Sequence, residues 1–201
     1  MSSIIGGTTG VTFPDGTTQT TAAVSSSGAL NLISSQTASN TAYVEWTGLT
    51  TYKRYVLVFD NVIPASNGSI LCCVVGTGTT PTYITSNYKG SFFQSYPPSI
   101  INQTAGNFVA YLAGYDNGTH NESGSDGVNG EVTFHNFDCS VPGATSVDGT
   151  TFSYISTSPN WETDVLHYSV YGNTTAKTAI KVYFSSSNIT SGRFSLYGVL
   201  V

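Results

Sequence analysis

Residues 52–75 read YKRYVLVFDNVIPASNGSILCCVV, and the fold follows from how this stretch is parsed. Two apolar runs, RYVLVFDNVI (54–63) and SILCCVVG (69–76), are rich in the β-branched and aromatic residues that suit a pleated surface. Between them Pro-Ala-Ser-Asn-Gly (64–68) supplies turn chemistry: a preset φ from proline, and residues that tolerate or require unusual backbone angles. The pattern is strand, turn, strand.

The same pattern continues on both sides. Alternation is clear in TAYVEWTGL (41–49), TYITSNYKGSFF (82–93), NFVAYLAGY (107–115), GEVTFHNF (130–137), FSYISTS (152–158), DVLHYSVYG (164–172), AIKVYFSSS (179–187) and RFSLYGVLV (193–201). Turn signals separate these runs at Gly-Thr-Gly (76–78), Tyr-Pro-Pro (96–98), Asp-Asn-Gly (116–118) and Val-Asp-Gly (147–149). Many short strands with no amphipathic helix between them predict an all-β fold: an antiparallel β-sandwich, jelly-roll-like, preceded by a short extended strand or hairpin arm. The small-residue stretch SSSGALNLISSQTASN (25–40) reads as a linker or extended arm, giving an arm over 1–35 and a sandwich over 36–201.

Composition narrows the function. Charged residues are 8% of the 201-residue chain, against roughly 25% in ordinary domains. With a net charge of −5 and six Lys and Arg, no basic stripe is available to neutralise phosphates, which argues against nucleic acid as a partner. No run approaches the ~20 apolar residues of a membrane span, and no secretory signal is recognisable, so no membrane insertion is expected. Cys72 and Cys73 are adjacent, which in a strand sends them to opposite faces. Free buried thiols are the expectation over a disulfide with Cys139, consistent with synthesis in a reducing cytoplasm.

The segment VTFPDGTTQTTAAV (11–24) is a threonine-studded hairpin signal with too few apolar groups to stand alone. Pro14, Asp15 and Gly16 form its turn, and Val11, Phe13, Thr17 and Gln19 flank it. Within it, FPDGTTQTTAA (13–23) resembles a segment that recurs in tail fibres and other structural proteins of tailed bacteriophages, often before a distal β-domain. The closing ITSGRFSLYGVLV (189–201) is similar to the last strand of phage fibre and receptor-binding modules, and 52–75 resembles their second and third strands. In long fibres the first motif lies deep in the chain, whereas here few residues precede it.

What the resemblance implies is a virion structural protein, a short tail-fibre or tail-tip subunit that attaches to the host surface by non-catalytic binding. It implies a homotrimer assembled through the arm (Val11, Phe13, Pro14, Asp15, Gly16, Thr17, Gln19), in contact with other virion proteins. The alternatives are a capsid decoration or head-fibre protein and, more weakly, a polysaccharide depolymerase. For a host surface saccharide, the candidate binding residues are Tyr83, Tyr88, Tyr96, Tyr115, Asp116, Asn117 and Trp161, which pair flat apolar faces with hydrogen-bonding groups.

Catalysis and cofactors have little to rest on. His120, His135 and His167 form no HExxH, CxxC pairs are absent, and no GxSxG elbow presents a nucleophile. No cofactor and no metal are expected, although the polar loop 115–131 is rich in oxygen donors without the EF-hand register. The depolymerase alternative rests on Glu162 and Asp164, which share a face if WETD is strand-like.

Overall fold

A computed structural model of the chain describes residues 4–6, 10–12, 14–15, 17–19, 29–95, 98–103, 109–114, 127–139, 141–142, 144–155, 160–171 and 173–200. Sixteen strands and no helix occur among them. β1 (Ile4–Gly6), β2 (Gly10–Thr12) and β3 (Thr18–Gln19) form a small antiparallel sheet, with Val11 opposite Gln19 across the Pro14-Asp15 turn. Asp15 Oδ1 fixes that turn by accepting from the Thr17 N–H at 2.9 Å and the Thr17 hydroxyl at 2.6 Å. Phe13 and Gly16, also expected in the arm, lie outside the described residues.

The rest builds two larger antiparallel sheets. The strands are β4 (Leu30–Thr41), β5 (Tyr43–Trp46), β6 (Tyr55–Pro64), β7 (Leu71–Thr77), β8 (Thr82–Tyr83), β9 (Tyr88–Ser95), β10 (Pro98–Gln103) and β11 (Ala110–Ala113). They continue as β12 (Val128–His135), β13 (Ser146–Ile155), β14 (Asn160–Val170), β15 (Lys177–Phe184) and β16 (Ile189–Val199). The larger sheet has eight strands in the order β10-β9-β14-β13-β12-β6-β16-β4. The smaller runs β11-β7-β15-β5, with β8 paired to β7.

Period-two alternation turns one face of each sheet inward. From the larger sheet come Tyr55, Leu57, Phe59, Phe92, Phe134, Leu166, Tyr168, Phe194 and Leu196; the smaller contributes Val44, Trp46, Leu71, Cys73, Val75, Leu112, Ile180 and Val182. Each such side chain contributes about 1.5–3 kcal/mol of apolar burial, so the facing layers hold the sheets together. Trp46 meets Phe194 edge-on across the interface with ring centroids 6.4 Å apart. Cys72 and Cys73 are free and buried on opposite faces of β7, and burial pushes both thiols well above their ordinary range.

Three expectations are corrected. The linker reading of 25–40 fails where it can be checked: residues 30–41 are β4, paired with β16 from Leu30 opposite Val199 to Thr41 opposite Ile189. The boundary expected after residue 35 therefore falls inside a strand of the main sheet. Val-Asp-Gly (147–149) is no turn but part of β13, where a Cβ on Gly149 would lie 2.2 Å from the Glu131 carbonyl oxygen. That glycine permits close approach of β12, a role which composition cannot distinguish from a turn. The run 82–93 breaks into β8 and β9, with Asn87 at φ +63 in the break.

Candidate functional site

The outer face of the smaller sheet carries a concave site. In β5 the inward set is Val44 and Trp46, so Tyr43 and Glu45 point out; in β15 Ile180 and Val182 point in, so Lys181 and Tyr183 point out. Register then aligns Glu45, Lys181 and Val74 in one row and Tyr43, Tyr183 and Cys72 in the next. β8 lays Tyr83 over the end of β7, opposite Gly76. A Cβ on Gly76 would approach the Tyr83 ring to 3.1 Å, so the absence of one lets the ring lie close to the strand.

These side chains enclose a cleft of 270 Å³ lined by Ala42, Tyr43, Val74, Tyr83, Thr85, Lys181 and Tyr183. The volume is just below the roughly 300 Å³ lower bound of drug-sized pockets, which suits one small ring. Lys181 Nζ stands 3.7 Å from the centre of the Tyr83 ring and 4.5 Å from that of Tyr43, close enough for cation–π attraction to both. Glu45 holds the arrangement from the side. Its Oε2 accepts the Tyr83 hydroxyl at 2.6 Å and sits 3.8 Å from Lys181 Nζ. Burial, and then the hydrogen bond to Glu45, push the Tyr83 phenol up, so it stays a donor at physiological pH. Burial raises Tyr183 likewise.

The cleft therefore offers tyrosine ring surface, a threonine hydroxyl and an ammonium donor whose charge is balanced by the carboxylate beside it. Such a lining can stack against an apolar ring face and hydrogen-bond to peripheral hydroxyls.

A second polar cluster lies inside the sandwich. Glu162 and Asp164 do share a face of β14, and it is the inward one: both are fully buried. Gln94 stands opposite Asp164 on β9, while Thr151 and Ser153 lie opposite Asp164 and Glu162 on β13, and all three are buried. The Gly114 N–H donates to Asp164 Oδ2 at 3.3 Å. Burial, followed by the neighbouring charge of Glu162, pushes the Asp164 carboxyl up to about 9, so the pair holds a proton at neutral pH. Two carboxyls packed side by side in a core do not flank a bond as glycoside cleavage requires.

The expected binding residues do not converge. Tyr83 is in the cleft. Tyr88 is removed from the surface set because it is fully buried, its hydroxyl oxygen accepting the Val75 N–H at 2.8 Å. Trp161 is exposed on the outer face of the other sheet, stacked on Phe152 at 4.7 Å. Tyr96, Tyr115, Asp116 and Asn117 lie outside the described residues. The sequence reading missed Tyr43, Lys181 and Tyr183 as site residues, although the alternation of YVEW and KVYF marks them as outward.

Among the described residues no three His, Cys, Asp or Glu side chains are grouped to hold a metal ion. Compared with known proteins, the chain matches no family model, no curated protein and no solved structure.

Proposed function

We propose that this chain is a non-catalytic attachment protein of a tailed-bacteriophage virion, a short tail-fibre or tail-tip subunit that binds a host surface saccharide through the cleft of Tyr43, Tyr83, Tyr183 and Lys181. The observation that carries the binding reading is the cleft itself, where aromatic surface and hydroxyl or ammonium donors converge in a space the size of one sugar ring. The virion reading is supported by FPDGTTQTTAA (13–23) and SGRFSLYG (191–198). Residues ahead of β4 act as the anchoring arm of a homotrimer, in which three weak sites gain avidity.

A jelly-roll-like path is supported by one ribbon that crosses both sheets. β6 pairs with β16 in the larger sheet, and their chain neighbours β7 and β15 pair in the smaller.

Immunogold labelling of intact particles tests the placement. Label at the tail supports the proposal, label over the head favours a capsid decoration protein, and unlabelled particles contradict both.

A further inference from the structure

The cleft of the smaller sheet is one-sided in its hydrogen-bonding groups. Lys181 is the one charged side chain among its described lining residues, and neither a carboxylate nor a side-chain amide stands with it there. The lining side chains accept only through the hydroxyl oxygens of three tyrosines and Thr85, whereas the ammonium brings three N–H donors and no acceptor. A sugar hydroxyl both donates and accepts, so a neutral sugar is matched by strong donors and strong acceptors together. This cleft is strong only as a donor.

Glu45 does not restore the balance of hydrogen bonds. Its Oε2 accepts the Tyr83 hydroxyl at 2.6 Å and stands 3.8 Å from Lys181 Nζ, beyond hydrogen-bond range. The carboxylate offsets the ammonium's charge without satisfying its donors. Lys181 Nζ is steadied instead by aromatic faces, 3.7 Å from the centre of the Tyr83 ring and 4.5 Å from that of Tyr43, and makes no hydrogen bond among the described residues. With the Lys181 side chain only 23% exposed, the donors are positioned in advance and already partly shielded from water.

We infer that the cleft takes an acidic saccharide, with a carboxylate of the sugar seated on the Lys181 ammonium and the sugar ring against the tyrosine faces. This rests on the attachment proposal and names the chemical class bound in the same cleft. A carboxylate on an ammonium forms charge-assisted hydrogen bonds roughly twice as strong as those of a neutral hydroxyl. Lys181 thereby sets the specificity, while the tyrosines supply ring surface that serves any sugar. The chain as a whole works against non-specific capture of such a ligand: at −5, with six Lys and Arg, it repels acidic polymers at long range. Adherence to one therefore reports a local contact.

The test takes the bacterial surface polysaccharides that the full-length chain binds and reduces their carboxylates to primary alcohols with carbodiimide and borohydride. Affinity measured by calorimetry should fall about tenfold or more on reduction, the loss of one charge-assisted contact. Lys181→Gln should bind the acidic and the reduced forms alike, with an unchanged thermal melt. The reduction arm needs no variant, so it decides the matter even where Lys181→Gln does not fold.

Bound polysaccharides that carry no carboxylate, affinity that survives reduction, or a folded Lys181→Gln that still prefers the acidic form would each overturn the inference and leave the saccharide reading standing. Absence of binding to every polysaccharide would instead contradict the attachment proposal, and this inference with it.

Discussion

The Tyr83 hydroxyl donates to Glu45 Oε2 at 2.6 Å, joining a side chain of the short strand β8 to one of the edge strand β5 across the top of the smaller sheet. Lys181, between them in the sheet, completes the group with its ammonium over the Tyr83 ring. The shape of the cleft depends on this contact, so Glu45→Gln and Tyr83→Phe should weaken saccharide binding while altering folding stability by no more than about 1 kcal/mol, the range for a partly exposed pair. Titration calorimetry beside thermal melts checks this. A stability loss that accounts for the whole binding loss would contradict it.

Gly76→Ala tests the same geometry from beneath. The added methyl would press on the Tyr83 ring at 3.1 Å, and the ring, at the cleft rim, can move. Binding should fall while the melting temperature changes little. By contrast, Gly149→Ala would place a carbon 2.2 Å from a backbone carbonyl in the middle of the larger sheet, and should cost about 3 kcal/mol of stability in denaturant titration.

Tyr88→Phe removes the acceptor for the Val75 N–H, which lies in the opposite sheet. An amide left unsatisfied in a core costs about 1–3 kcal/mol, with a shift of roughly 2–4 °C in melting temperature per kcal/mol for a chain of this size. Calorimetry should show that loss with ligand affinity unchanged, since Tyr88 does not reach the surface.

The buried pair sets a pH dependence of definite sign. Asp164 is raised from 3.8 to about 9 in the folded chain, so between those values the folded state binds more protons than the unfolded one. Stability then decreases as pH rises through that window. Melting temperature should drop between pH 5 and pH 8.5, and Asp164→Asn should flatten the decline. An unchanged slope in the variant would remove Asp164 as its source.

How far the sequence foretold this molecule depends on what kind of interaction each element uses. The hairpin over 54–63 and 69–76 emerges as β6 and β7 within two residues at each end, because its alternation reports burial directly. β4 escaped because its pairing is almost wholly backbone; Ser34 and Ser35 serve it only by accepting the Trp46 indole N–H at 2.8 Å and by bonding Ser195 at 2.7 Å. In TYITSNYKGSFF the two tyrosines read as equivalent surface candidates, yet the break at Asn87 sends Tyr83 to one sheet and Tyr88 to the other. The cleft itself joins residues from strands 43–46, 71–77, 82–83 and 177–184, and only the pairing register of these four strands brings them together.

The most direct measurement is binding of the full-length chain to an array of purified bacterial surface polysaccharides, beside Tyr43→Ala and Trp161→Ala. The account expects at least one saccharide to be bound by the unmodified chain and by Trp161→Ala, with at least a tenfold loss in Tyr43→Ala. Retention of full binding in Tyr43→Ala, or no binding to any polysaccharide on the array, would contradict it.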